Sequence, residues 1–413
     1  MEEKYLNFLN KSKKVGLINN VTNFKKLNNF LNKKKISLYC GFDPTANSLH
    51  IGHLSLLVFI RKLLNIGHNP IFLIGGATAL IGNPSFKRKK KNKTICEKIE
   101  NYSLNIKKQI KDFFYDKNII IVNNKYWLRK LNIVNFLTNV GKNCSTKFID
   151  KFEDYRTFSD IFYILLQGYD FLYLNKKYNV NLQIGGSDQW KNILLGVKLI
   201  NRIKRKQVFG LTTNLITDFN NVKISKTANN VIWLDKKMTT PYKLYQYLIN
   251  VPDEKVYIFL KFLTFLDVNL IEDLESRHSY QKKKYAQYLL AEEVTNIVHG
   301  KNSLDLAIKI TNFFFKNSPF NLTEKNFEYL VSSENVDVFH SKENINLKKL
   351  LILIKFSKSL TESKKIIKNS SIFINGFVQR NIEYILKKED WIYNKYIIMK
   401  KGKKNIVLVK KIN

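Results

Sequence analysis

An α/β chain built on a mainly parallel sheet is what this sequence predicts, and three observations predict it. Residues 36 to 75 run strand, glycine-containing turn, helix, strand: Ile36 to Cys40, then Leu49 to Leu64, then Pro70 to Ile74. That order joins parallel strands and puts a ligand site at their carboxyl ends. Two further glycine turns, Gly75-Gly76 and Gly185-Gly186, each follow a short apolar run, Ile71 to Ile74 and Val180 to Ile184, so each can sit at the same sheet edge. From Pro241 onward glycines nearly vanish and apolar residues recur at helical spacing, as in Tyr242, Tyr245, Leu248 and Ile249.

Taken in order, residues 1–240 form the sheet domain, with a mostly helical stretch at 98–175 that carries amphipathic runs such as Ile133 to Val140 and Ile161 to Leu174. Residues 241–330 form a helical domain. The polar, aperiodic stretch 331–345 is expected to be a linker. A small α+β unit follows at 346–413, with helices near Leu347 to Phe356 and Thr361 to Lys368 and a strand at Ser371 to Ile374. An Asn375-Gly376 turn and strands near Tyr396 to Met399 and Asn405 to Val409 complete it.

Composition narrows the function classes. With 413 residues, 45% of them hydrophobic, the chain can bury a core and divide into two or three domains. A net charge of +37 suits a polyanionic partner, since lysine and arginine neutralise phosphates and release condensed counterions. Only eight of the 70 basic residues are arginine, and Lys, Asn, Ile, Phe and Tyr abound. Those residues have codons rich in A and T, so the charge supports a nucleic-acid partner without identifying one. Cys40, Cys96 and Cys144 are far apart and form no CxxC pair, which argues against zinc and against a disulfide framework. Apolar runs such as Leu54 to Ile60 fall short of the ~20 residues that cross a bilayer. Without a signal-like N-terminus, the expectation is a cytoplasmic protein that does not enter a membrane.

Two motifs carry chemistry. His50-Ile51-Gly52-His53 opens a helix after an Asp-Pro turn, where unpaired amides and the helix dipole favour anions. Gly52 lets a base or ribose lie against the backbone. A stray His-Xaa-Gly-His on a helix is usually structural, so context decides. Lys223-Ile224-Ser225-Lys226-Thr227 supplies two lysines that can neutralise a departing pyrophosphate. In a lysine-rich chain that spacing alone is weak, and the pairing with the histidines gives it weight.

Together these segments resemble the class I tyrosyl-tRNA synthetases. The resemblance rests on Tyr39 to His53, Gly75-Gly76-Ala77-Thr78, Leu166 to Leu172, Gln183 to Trp190 and Lys223 to Thr227, in the family's order and over nearly the whole chain. It implies a Rossmann-like catalytic domain with a helical dimerisation insertion at about 115–165, a helical tRNA-binding domain and a C-terminal ribosomal-protein-like RNA-binding module. It implies a tyrosine--tRNA ligase that uses ATP with Mg²⁺, L-tyrosine and tRNA(Tyr), acting as a homodimer. Thr45, His50, His53, Lys223 and Lys226 would stabilise the transition state; Gly41, Asp43, Gly52, Asp188 and Thr227 would complete the ATP site. Tyr39 and Asp170 would hold the phenol hydroxyl, with Thr78, Asn83, Tyr163, Gln167 and Gln189 around the rest of the amino acid. Lys364 and Lys365, on the helix before the Asn375-Gly376 turn, would meet RNA phosphates.

The specificity implied by the resemblance has a simple chemical basis. A buried donor and acceptor that pair with a phenol hydroxyl are both left unpaired by phenylalanine. Tyrosyl-tRNA synthetases are themselves the reference example, at about 10⁵ without editing, a figure that belongs to the enzyme class and not to this chain. One departure stands out: where the family reads Gly-Asp-Pro-Ser, this chain reads Gly82-Asn83-Pro84-Ser85, so the substrate ammonium loses a counter-charge. Weaker tyrosine binding, with activity retained, is the expectation. A tryptophan-specific relative and a noncatalytic RNA-binding derivative are the rival readings. Tyr39 and Asp170 disfavour the first, and the intact histidine and lysine motifs disfavour the second.

Overall fold

Six strands form the first sheet, in the order β1-β6-β5-β2-β3-β4: β1 Ile18–Val21, β2 Ser37–Phe42, β3 Asn69–Ile74, β4 Ile120–Asn123, β5 Val180–Gly186 and β6 Phe209–Thr213. All neighbours run parallel except β1, which lies antiparallel to β6. The structure is a computed structural model that describes residues 8–82, 92–144, 157–217, 231–277, 284–315, 322–332, 336–402 and 405–412.

Alternation along β2 explains how the sheet is covered. Leu38, Cys40 and Phe42 enter one core layer with Leu57, Phe59, Ile60 and Phe72. Tyr39, between them, points into the other with Ile71, Leu73, Phe171, Ile193 and Val197. Each fully buried Leu or Phe of these layers is worth roughly 1.5–3 kcal/mol. The helices that matter for the site are α1 Ile51–Asn65, α2 Asn92–Phe113, α3 Phe158–Tyr178 and α4 Trp190–Lys204. Helix α1 stops where Gly67 takes φ +102°, and α3 stops at Asn179, which is left-handed at φ 52°.

Two compact units emerge, one from residues 1–235 with 251–290 and one from 236–250 with 291–413. This grouping departs from the division at 240/241 expected from sequence. Helices Asp253–Leu263 and Val268–Ser276 belong with the first sheet, whereas Pro241–Ile249 belongs with the second unit. The physical reason lies in a second, five-stranded sheet, β7-β11-β10-β8-β9, formed by Asp337–Ser341, Asn405–Lys411, Tyr396–Lys401, Ile372–Ile374 and Phe377–Val378. Both its faces are apolar. Ile397, Met399, Val407 and Val409 pack with Leu347, Leu350, Leu351 and Ile367, while Tyr396, Ile398 and Leu408 pack with Tyr242, Ile310 and Phe327.

The stretch 331–345, read as a linker, therefore contains β7, which pairs parallel with β11. Its pairing partner is more than sixty residues away, and local polarity hid it. The Asn375-Gly376 turn is as expected, with φ of 51° and 88°. Edge strand β4 also falls within the stretch read as helical.

Candidate active site

The histidine motif folds around its own backbone. His50 is the N-cap of α1, and its Nδ1 accepts from the Gly52 N–H at 3.1 Å. His53 Nδ1 accepts from the His50 N–H at 3.1 Å, a reciprocal box that uses imidazoles in place of the usual hydroxyl and carboxylate. Each neutral ring thus carries its proton on Nε2. The ring centroids lie 3.8 Å apart, and Trp233 packs edge-on against His50 at 6.1 Å.

A cavity of about 450 Å³ opens beside this helix start. Of the residues singled out from sequence, Tyr39, Gly41, Asp43, Thr45, His50, Gly52, His53, Thr78, Tyr163, Gln167, Asp170, Asp188 and Gln189 all line it. Asn83, Lys223, Lys226 and Thr227 lie outside the described residues. Lys364 and Lys365 belong to the second unit, exposed on helix Leu360–Lys368, whose Ser363 and Ile367 face inward. Among the described residues the cavity lining holds three carboxylates and two imidazoles but no lysine or arginine.

At the deep end, Asp170 is 1% exposed. Its Oδ1 accepts from Trp127 Nε1 at 2.7 Å and its Oδ2 from Asn124 Nδ2 at 3.0 Å. Burial pushes its carboxyl up to about 7; the two hydrogen bonds oppose that shift and the nearby Asp43 adds to it. Tyr39, likewise 1% exposed, has a hydroxyl with no hydrogen-bond partner among the described residues. Burial, and then the charge of Asp170, raises its pKa well above the ordinary phenol value, so it stays a neutral donor.

A chain of hydrogen bonds links this end to the cavity wall. Asn124 Nδ2 also donates to Thr78 Oγ1 at 3.0 Å, Thr78 Oγ1 donates to Asp43 Oδ1 at 2.9 Å, and the Tyr163 hydroxyl donates to Asp43 Oδ2 at 2.8 Å. Gly75 permits the approach, because a Cβ there would sit 1.8 Å from Asp43 Oδ1. Gln167 and Gln189 meet through Nε2 and Oε1 at 3.3 Å, and Asn192 donates to Gln167 at 3.1 Å.

Sequence reasoning missed Asn124, Trp127 and Gln183. The first two follow a short edge strand with no motif around them, though Trp127 is one of only four tryptophans. Gln183 sits opposite Tyr39 in the β2–β5 register, lines the cavity and has a buried Oε1 with no hydrogen-bond partner among the described residues. Among the described residues no cluster of three or more His, Cys, Asp or Glu could hold a metal, and no helix is long and apolar enough to cross a membrane.

A parallel sheet with a two-histidine helix start at its carboxyl edge is the ATP-activating frame of a class of ligases, and sequence comparison agrees. Residues 31–316 match the family model of tRNA synthetases class I (W and Y), and the chain belongs to that family. Within it, residues 328–409 match the Tyrosine--tRNA ligase SYY-like C-terminal domain. The chain is 42% identical to a Tyrosine--tRNA ligase of Wigglesworthia glossinidia brevipalpis, over 95% of this chain and 96% of that one. It is 40% identical to the Tyrosine--tRNA ligase of Escherichia coli (strain 55989 / EAEC), over 98% of each. The crystal structure of a C-terminally truncated Coccidioides posadasii mitochondrial tyrosyl-tRNA synthetase superposes with a TM-score of 0.62 at 28% identity, covering 73% of this chain and 91% of that one.

Proposed function

We propose that this chain is a tyrosine--tRNA ligase: ATP and L-tyrosine give tyrosyl-adenylate and diphosphate, and the tyrosyl group then passes to the 3′-terminal adenosine of tRNA(Tyr). The observation that carries the choice of amino acid is the buried pair at the deep end of the cavity. Tyr39 offers a hydroxyl without a partner among the described residues, and Asp170 offers a carboxylate held by Asn124 and Trp127. A phenol hydroxyl can accept from the first and donate to the second. Indole lacks a group that does both, and phenylalanine would leave both unpaired.

Activation needs no covalent nucleophile. The tyrosine carboxylate attacks the α-phosphorus and diphosphate leaves, so rate comes from positioning and from stabilising charge on the phosphates. His50 and His53 sit at a helix start suited to phosphate oxygens, and Thr45 borders the same cavity. Lys223 and Lys226 would supply the cationic side, with Thr227 beside them, and Gly41, Gly52 and Asp188 the adenosine side. Mg²⁺ would enter with ATP, held by phosphate oxygens and water. Thr78, Asn83, Tyr163, Gln167 and Gln189 would surround the amino acid's ammonium and carboxylate, and Lys364 and Lys365 would contact tRNA phosphates.

A cytoplasmic homodimer completes the proposal. Tyr126, Ile133, Val134 and Phe158 are large apolar side chains left 68%, 55%, 65% and 74% exposed, all within the region 115–165. Sedimentation of the purified chain tests the dimer, and a monomer at all concentrations would refute it. Amino-acid-dependent ATP–pyrophosphate exchange tests the activity. Exchange with tyrosine supports the proposal, exchange with tryptophan alone replaces it with the tryptophan enzyme, and exchange with neither points to an RNA-binding protein.

A further inference from the structure

We infer that Ser48 and Gln109, neither of which lines the cavity, are positioning residues for its nucleotide end, an inference that rests on reading the cavity as an ATP-activating site. Two stretches of chain distant in sequence converge on the two residues just before His50. Helix α2 contributes Gln109, whose Nε2 donates to Ser48 Oγ at 2.9 Å and whose Oε1 accepts from the Leu49 N–H at 2.9 Å. Segment 231–235 contributes its backbone: the Asp235 N–H donates to Ser48 Oγ at 3.1 Å and the Leu234 N–H to the Leu49 carbonyl at 2.8 Å. Ser48 Oγ donates in turn to the Leu49 carbonyl at 2.7 Å.

The Ser48 hydroxyl thereby uses one donor and two acceptor sites, its whole capacity. Leu49 has both backbone groups engaged. Ser48 and Leu49 are each 1% exposed, so water has no access to replace a lost partner. One residue further on, the Ile51 N–H donates to the Ile232 carbonyl at 2.9 Å, and an isolated antiparallel bridge joins His50 to Trp233. The extended backbone of His50, φ −123° and ψ 171°, is therefore bracketed by fixed residues on its N-terminal side and by the capping box on the other.

Catalysis by positioning is sensitive to this kind of support. His50 aims its ring from an N-cap, and the direction of that ring follows the backbone at 48–50. Gln109 reaches this segment from the last turns of a 22-residue helix whose C-terminal residue, one turn further on, is held separately, Arg61 Nη1 of α1 donating to the Phe113 carbonyl at 3.2 Å. That second anchor supplies a control: Arg61→Met loosens the same helix without touching residues 48–50.

The test is tyrosine-dependent ATP–pyrophosphate exchange by the full-length chain, with ATP and tyrosine titrated separately and thermal melting recorded for each variant. Gln109→Met keeps length and helix propensity but removes both hydrogen bonds. It is expected to lower kcat/KM for ATP by up to ~10²-fold, the scale of an ångström-sized misplacement, with the Michaelis constant for tyrosine unchanged. Ser48→Ala should act in the same direction, and the double variant should lose no more than the worse single one, because both break one network. Arg61→Met should lower the melting temperature and leave the ATP parameters alone. If Gln109→Met fails to fold, Ser48→Ala carries the test by the same readout. Unchanged ATP parameters in a folded variant, equal losses for ATP and tyrosine, or additive losses in the double variant would overturn the inference. A wild-type chain that does not exchange with tyrosine would instead overturn the reading of the cavity itself.

Discussion

The two ends of the cavity are built by opposite means. Around Asp170, side chains from β2, from α3 and from the segment after β4 meet in a buried cluster, in which the Tyr39 hydroxyl has no partner among the described residues. Around His50, the backbone is what is held: a helix start caps itself with its own imidazoles, and neighbouring segments fix it through main-chain bonds and through the Gln109 side chain. The first arrangement suits discrimination, because an unpaired buried group penalises a ligand that lacks its complement. The second suits activation, because the Nε2 protons of the two rings, carried at the positive end of the helix dipole, can meet phosphate whatever amino acid is bound; the Ile51, Gly52 and His53 amides, expected from sequence to be unpaired, are already engaged. Specificity and chemistry should therefore be separable by mutation.

The largest effect is expected at the helix start. His50→Ala should lower the rate of adenylate formation by ~10²–10³-fold, the scale for loss of one transition-state donor, with the Michaelis constant for tyrosine unchanged. Single-turnover kinetics checks this, and a tyrosine constant that rises in step would break the division between the two ends. Asp170→Asn should do the reverse, raising the tyrosine constant by about 10- to 10²-fold, as expected for loss of a hydrogen bond to a charged acceptor, while sparing that for ATP.

The same variant has a pH signature. Asp170 titrates near 7 in the folded chain, above the ordinary carboxylate value near 4, so the folded state holds its proton more tightly than the unfolded state. Its contribution to stability is full below about pH 4 and is lost as pH rises through about 7. His68 works the other way: burial lowers it to about 4, so its contribution is lost as pH falls from 6.5 toward 4. Denaturation midpoints of the ligand-free chain between pH 4 and 7 should thus gain a steeper upward slope with pH in Asp170→Asn than in wild type. Parallel curves would show that Asp170 is ionised throughout.

The smallest effect is expected at Asn83. Asn83→Asp should lower the Michaelis constant for tyrosine by roughly tenfold or less, the range of one charge-assisted hydrogen bond, without changing the rate at saturation. An unchanged or raised constant contradicts the view that this position carries a weakened ammonium contact.

What could be read in advance follows the same division between local and distant. Strand β2, its turn and α1 were legible because apolar alternation, an Asp-Pro turn and a helical apolar run lie within thirty residues of one another. Tyr39 and Asp170 were legible only through resemblance; nothing in their surroundings says that β2 and α3 bring them to one cavity. Asn124 and Trp127 escaped notice because β4 is a four-residue edge strand and their target lies more than forty residues away. Strand β7 escaped for a related reason: in Asp337–Ser341 only Ser341 is buried, and its register is supplied by β11. Gln109 gave no signal at all, since a glutamine on a lysine-rich amphipathic helix looks like any solvent-facing residue.

On the proposed function, Tyr39 and Asp170 select the amino acid while the histidine end activates it. That division is tested most directly by the ratio of kcat/KM for tyrosine over phenylalanine in pyrophosphate exchange, measured for wild type and for Tyr39→Phe. The ratio should fall by about tenfold, one hydrogen bond's worth, with the Michaelis constant for ATP unchanged. A ratio that stays the same, or a loss that appears in ATP binding instead, would contradict the division.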